Sequence, residues 1–445
     1  MPRPAPTVFP SQARLLNVGR ASCKSRFIRF SSSNHGIAPP LRHVRILDLT
    51  RVLAGPTCTM LLADLGADVI KVESITGGDD TRSWYPPSAP LSINAPRESA
   101  HLPPESAYFL AVNRNKRSVT VNFKTTEGLE ILHKLIGKVD VLVENFIPGR
   151  LFKLGLGWED CHKLNPRLVY ASISGYGQDG PYKSYPGYDV VIEAEAGLMH
   201  ITGEAGRPPC KVGVAATDIA TGLYAHGAIM AALISREKTG QGVWIDCNLF
   251  ESQIAGLANI ASNYLIAGQE ASRHGTAHPS IAPYEVFECK DGYIMIGAGN
   301  NKQFAALAEK VLDIPDLATD VRFATNASRV ANRDKLKEIV TEVLVTRDRE
   351  HWLKKFTGSG IPFGPINNIK QTFDHPQAKA RGIVTEINHP RSGNVKLVAP
   401  AVRYNGERMP VTRPPPWLSE HTNEVLEELG YNDEDIHELR SKGVI

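Results

Sequence analysis

The sequence predicts an α/β protein built on a doubly wound parallel sheet, with a second, smaller α+β region. Three observations carry this expectation. Val- and Ile-rich runs, too apolar for half-exposed strands, alternate with segments of helical spacing. Turns rich in Gly and Pro follow several of those runs. At 445 residues the chain also exceeds what one compact core sustains.

The first run, Val44-Arg-Ile-Leu-Asp-Leu-Thr50, reads as a buried strand. Ala54-Gly-Pro56 is a turn with Pro placed to open a helix, and Thr57 to Leu65 has helical spacing. Gly66 closes that helix, and Ala67-Asp-Val-Ile-Lys-Val-Glu73 is the next strand, completing a βαβ unit. A second unit follows. Ser118-Val-Thr-Val-Asn-Phe123 is a strand, and Thr125 caps a helix with Leu129, Leu132 and Ile136 on one face. Val139 to Phe146 is again a strand, as is Leu168-Val-Tyr-Ala-Ser-Ile-Ser174 before Gly175-Tyr-Gly177. Open sheets bind ligands beyond the carboxyl ends of their strands, so 50–56, 73–82, 145–148 and 175–180 should share one edge. Gly77-Gly78 and Gly297-Ala-Gly299 are weak glycine pairs, more often turns than phosphate loops, so a nicotinamide dehydrogenase is not expected. From Gly275 the pattern changes to alternating strands flanking Asp291-Gly292, a hairpin signal, and then to charge-patterned helices.

Composition excludes several classes. With 42% hydrophobic and 22% charged residues and a formal net charge of +3, nothing points to a nucleic acid or another polyanion as partner. Six scattered cysteines with no C-x-x-C pair suggest reduced thiols and no metal site. No uninterrupted apolar run has the roughly 18 residues of a membrane span, so no membrane partner is expected. Met1 to Leu47 contains no Asp or Glu but many Arg and Ser residues, the composition of a mitochondrial transit peptide over about residues 1–38. The expected compartment is the mitochondrial matrix.

The most informative single residue is Asp218, at the head of the nearly charge-free run Val214 to Ile234. Locally it reads as a helix N-cap. The alternative is a catalytic carboxylate that the helix end keeps ionised. Glu193 and His226 read as ordinary packing or polar-network residues.

Read together, a set of motifs decides for catalysis. They include Arg51-Val-Leu-Ala-Gly-Pro56, Asn115-Lys-Arg-Ser118, Val143-Glu-Asn-Phe146, Gly187-Tyr-Asp189, Ala216-Thr-Asp-Ile-Ala-Thr-Gly222, Gly360-Ile-Pro-Phe-Gly-Pro365 and Glu420-His-Thr-Asn-Glu-Val-Leu426. In this order, over 41–445, the chain resembles the class III (CaiB/BaiF) CoA-transferases. The resemblance implies a Rossmann-like large domain from both chain ends (41–248 and 370–445), a small α+β domain (275–342), and linkers at 249–274 and 343–369. It also implies a ring-shaped subunit interlocked with a second copy as a homodimer. The activity implied is transfer of CoA from succinyl-CoA to a dicarboxylic acid such as glutarate or 3-hydroxy-3-methylglutarate. CoA thioester is then a substrate, with no permanently bound cofactor and no metal.

By position in those motifs Asp218 is the nucleophile and Asp189 a second acid beside it. The resemblance places CoA against Val52, Ala54, Val121, Lys124, Asn145, Phe146 and Lys153. Racemases of the superfamily carry His where this chain has Tyr188, and an unperturbed Tyr, with a pKa near 10, is a poor base at neutral pH. An α-methylacyl-CoA racemase-like enzyme, or a CoA-binding protein without turnover, are the alternatives. Gly297-Ala-Gly-Asn300 is the nearest match to a glycine-rich lid, and Leu53 and Ser419 depart from the family pattern. Arg82, Arg114, Arg117 and Lys302 are candidate partners for a substrate's distal carboxylate.

Overall fold

Strand order is set by which runs are buried on both sides. The computed structural model describes residues 37–445, so nearly all of the expected leader, residues 1–36, lies outside the described residues. Six parallel strands, β1 (Arg45–Asp48), β2 (Asp68–Glu73), β3 (Lys116–Thr120), β4 (Val141–Glu144), β5 (Val169–Ser174) and β6 (Val243–Asn248), pair in the order β3-β2-β1-β4-β5-β6. This is a doubly wound topology, with its switch point between β1 and β4. The helices used below are α1 (Ala54–Asp64), α2 (Thr126–Ile136), α3 (Asp189–Glu195), α4 (Ala216–Thr239) and α5 (Leu249–Gly256), with α6 (Thr422–Glu428) and α7 (Asp433–Ser441) near the C-terminus.

The period of two along each strand explains the layers. Ile46, Val69, Val141 and Ala171 face α1 and α4, while Leu47, Ile70, Leu142 and Tyr170 face α2. Val425, Leu426, Ile436 and Leu439 of α6 and α7 close that second face, so the chain's C-terminal end completes the core of its N-terminal half. Arg117 ties the same seam by donating to Asp68 and to Glu424, each at 2.9 Å. By length and hydropathy α4 could cross a bilayer, which its interrupted sequence did not suggest, but one face of it packs on α1, α5, β5 and β6.

The second core lies in 282–365. The antiparallel hairpin β7 (Tyr284–Cys289) and β8 (Gly292–Gly297) turns at Asp291-Gly292 as expected, and β9 (Phe363–Pro365) pairs with β8. Leu344, Trp352, Phe356 and Ile361 are buried with Phe287, Ile296 and Phe304. Residues 344–365, expected within a linker, therefore belong to this core, because their apolar positions have no other surface to cover. The five cysteines among the described residues are all free thiols.

Candidate active site

The switch point between β1 and β4 is where two cavities meet. One, of about 200 Å³, is lined by Val52, Ala54, Asn145, Phe146, Tyr188 and Asp218. The other, of about 480 Å³, is lined by Val121, Phe123, Lys124, Phe146, Lys153 and Leu154. Arg51, Phe146 and Arg150 line both. Every residue expected to meet CoA thus borders one of two adjoining spaces, although they come from four separate stretches of the chain.

Two turns build the wall between them. Asn145 accepts the Arg51 backbone N–H at 3.0 Å and donates to the Arg51 carbonyl at 2.8 Å, so its amide is spent on the β1 turn. Val52 is held at φ 70°, an uncommon conformation for a β-branched residue. Its N–H donates to Asp79 at 3.1 Å, and Asp79 pairs with Lys71 at 2.9 Å, both side chains being fully buried. The Lys71 ammonium also donates to the Thr50 carbonyl at 2.7 Å. A buried ion pair, costly to form and more costly to break, holds the strained turn in place.

Asp218 reaches the smaller cavity from the first turn of α4. It is the third residue of that helix, and Ala215 at the N-cap makes no side-chain bond, so the local N-cap reading does not hold. The cap comes from elsewhere: Asp189, first residue of α3, accepts the Asp218 backbone N–H at 3.0 Å. Glycine permits this approach. A Cβ on Gly175 would lie 2.7 Å from the Cα of Gly187, so the β5 turn and the start of α3 touch backbone to backbone. A Cβ on Gly222 would likewise meet the Ala54 carbonyl oxygen at 2.7 Å, which fixes how closely α4 lies on α1.

Electrostatics single out the same residue. Burial, reinforced by the charge of Asp189, pushes Asp218 up to about 7. The expectation that the helix end keeps it ionised is therefore corrected: desolvation and a like charge outweigh the dipole, and its own N–H serves Asp189. A carboxylate raised this far is half protonated near neutral pH and more basic when ionised, properties that suit a nucleophile.

The chain belongs to CoA-transferase family III. That family matches residues 41–422. Human succinyl-CoA:glutarate CoA-transferase is 51% identical over 91% of this chain and 90% of that protein. The succinate–glutarate CoA-transferase of Agrobacterium fabrum is 42% identical over 88% of this chain and 96% of its own length. A crystal structure of a CaiB/BaiF family protein from Brucella suis superposes with a TM-score of 0.79 at 42% identity, covering 88% of this chain and 99% of that one.

Other placements in this transferase differ from expectation. Arg82 is bound to both oxygens of Glu73 (2.7 and 2.8 Å), Arg114 donates to Asp64 at 2.9 Å, and Arg117 serves the C-terminal seam. All three are buried in internal pairs, so none is a free cation for substrate. Lys302 and Gly297–Asn300 lie in the small domain and line neither cavity. Asn300 instead accepts the Gln303 N–H at 3.0 Å, capping a helix.

One residue of the site escaped the reading of the sequence, and a second was read without its place beside the acids. Tyr108, half-buried and set edge-on to Trp84 at 5.1 Å, comes from the long β2–β3 connection. Burial, with Asp218 and Asp189 close by, pushes its phenol above the ordinary range, and no local motif announces it. Glu193, expected as packing, is fully buried beside Asp189.

Proposed function

We propose that this transferase moves CoA from succinyl-CoA to a dicarboxylic acid such as glutarate or 3-hydroxy-3-methylglutarate, with Asp218 as its covalent nucleophile. The substrates rest on what the human and bacterial relatives are named for. The nucleophile rests on one observation: a carboxyl raised to about 7 in the cavity beside the β1 and β4 turns.

In this reading the Asp218 carboxylate attacks the thioester carbonyl, a C–O bond forms, the C–S bond breaks, and CoA leaves as thiolate. The thiolate attacks the aspartyl carbonyl of the anhydride, releasing succinate and leaving CoA on Asp218 as a thioester. The acceptor carboxylate attacks that thioester, and the thiolate freed returns to the new acyl carbonyl, releasing Asp218. A carboxylate enters and a carboxylate leaves, so no net proton is transferred. Tyr108, close enough to feel the charge of Asp218 and Asp189, is assigned the part of steadying a developing oxyanion.

The nucleotide end of CoA takes the larger cavity, its base against Val121 and Phe146 and its phosphates toward Lys124 and Lys153. The pantetheine arm passes Val52 and Ala54 to Asp218. Arg51, which lines both cavities and pairs with Asp80 at 3.0 Å while half exposed, is the cation best placed for the acceptor's distal carboxylate. Asp189 holds the nucleophile's backbone.

A second copy completes the molecule in this proposal. The helix Asn259–Ala267 buries none of its residues, and Leu265 and Ile266 stand 80% and 85% exposed. An apolar surface of this kind belongs in an interface, which fits the interlocked ring expected of the family. The acid-free leader directs the enzyme to the mitochondrial matrix.

The deciding experiment incubates the enzyme with succinyl-CoA, adds hydroxylamine or borohydride, and maps the modified peptide by mass spectrometry. Modification at Asp218, absent from Asp218→Asn, is the expected result. Normal turnover by that variant would sink the proposal.

A further inference from the structure

Glu193 takes no part in the reaction above, yet it is completely buried behind the acid pair. It follows Asp189 by four residues on α3, the spacing that stacks two side chains on one helix face. Its Oε2 accepts the Val212 backbone N–H at 3.1 Å, while Oε1 meets no N–H or hydroxyl donor. The group beside it is the carboxyl of Asp189, one turn back on the same helix face. Two ionised carboxylates this close and this buried repel each other, which favours one proton between them.

The surroundings say which group carries it. Asp189 is already an acceptor, taking the Asp218 N–H at 3.0 Å. Burial first, and Asp189 second, favour the neutral form of Glu193; Val212 N–H and Lys211 are the groups that oppose this. Lys211 is solvent-exposed. From α4 the charge nearest the pair is Asp218. From α5 comes Gln253, uncharged and bonded to Thr217 at 2.7 Å. His200, on the short helix Leu198–Ile201, turns outward to the Ala271 carbonyl. Among the described residues, the cation beside Glu193 is Lys211, and it lies at the surface.

We propose that Glu193 is a positioning residue that keeps its proton and donates it to Asp189, locking Asp189 as the anionic acceptor of the Asp218 N–H. The proton does two things. It fixes the rotamer of Asp189, and with it the first turn of α4 that aims Asp218. It also limits the negative charge beside the nucleophile to one neighbour. Without it, the Asp189 carboxylate would turn away from a second charge, and the backbone of Asp218 would lose its acceptor.

The inference rests on Asp218 as nucleophile, and its test separates the two ideas. Glu193→Gln keeps an N–H donor for Asp189 and an acceptor for Val212, but it cannot ionise. It should keep wild-type kcat near neutral pH and lack the alkaline fall in rate that the wild type shows when Glu193 loses its proton. Glu193→Leu, which offers no donor, should lose about 100-fold in kcat, the cost of a misplaced reacting group, with KM for succinyl-CoA little changed. An alkaline limb identical in Glu193→Gln and wild type overturns the inference, as does a Glu193→Gln enzyme with kcat as low as that of Glu193→Leu. The trapped adduct on Asp218 in wild type is read alongside. Its absence sinks the nucleophile reading; its presence with an unaltered Glu193→Gln profile sinks this inference alone.

Discussion

The two cavities on either side of Phe146 share a wall and are built from opposite materials. The smaller holds Asp218 with Asp189 and Glu193 behind it, and burial raises the proton affinity of Asp218 and of Glu193. The larger has an apolar floor of Val72, Val121 and Leu154, with Lys124, Lys153 and Arg150 at an exposed rim. Buried charge is expensive and becomes reactive; exposed charge is cheap and serves as an anchor. Substitutions in the first cavity should therefore alter kcat and pH dependence, and those in the second KM and salt dependence.

The strongest way to break that contrast is Asp218→Asn. Transfer of CoA from labelled succinyl-CoA should fall by at least about 10⁴-fold, the scale seen when a nucleophile is lost. The same substitution should make the protein more stable at high pH. Asp218 sits at about 7 against an ordinary 3.8, so its contribution to stability is full below 3.8 and is lost as pH rises through 7. By that linkage the variant gains as much as roughly 4 kcal/mol at pH 8 and little at pH 4, read from urea melts at the two values. Equal melts at both pH values would mean that Asp218 is not held under electrostatic strain.

Next in size is the pH profile. With Asp218 at about 7, kcat/KM should fall about tenfold per unit below pH 7 and level off above it, until any alkaline limb begins. Binding of a CoA ester measured by calorimetry should show no comparable step, since the larger cavity that takes the nucleotide does not include Asp218.

What was legible beforehand follows the same division. β1, β2, β4 and β5 could be read because each is a largely apolar run buried on both faces, and β3 from Val119 and Val121, although it starts at Lys116 and not at Ser118; β6 escaped because Asp246 and Asn248 interrupt it and much of that edge strand is exposed. The docking of α6 and α7 left no local pattern, since their apolar stripes say only that something is covered. Asp218 stood out as a lone charge in an apolar run, whereas Glu193 on α3 read only as a packing or polar-network residue, since nothing local places the Val212 loop over it. Arg82, Arg114 and Arg117 looked available because spacing along the chain does not reveal that Glu73, Asp64 and Asp68 lie against them.

A middle-sized effect tests the wall itself. Asn145→Ala removes both bonds to the Arg51 backbone while leaving Val52 at its unfavourable φ. Two lost hydrogen bonds amount to about 2 kcal/mol, or roughly 30-fold in kcat/KM. Because the turn borders both cavities, kcat and KM should change together; a pure KM effect would confine Asn145 to anchoring.

The smallest effects belong to the exposed lysines, and their form matters more than their size. Lys124→Ala and Lys153→Ala should each raise KM for succinyl-CoA about fivefold, near 1 kcal/mol, with kcat unchanged. Raising ionic strength should weaken wild-type binding toward that of the variants, because charges this exposed are screened over about 8 Å at physiological salt. Lys153→Arg should recover or exceed wild-type binding, since a guanidinium can grip a phosphate with two parallel hydrogen bonds where an ammonium acts as a point charge. If Lys153→Ala instead lowered kcat with KM intact, the larger cavity would be doing more than holding the nucleotide, and the division at Phe146 would have to be redrawn.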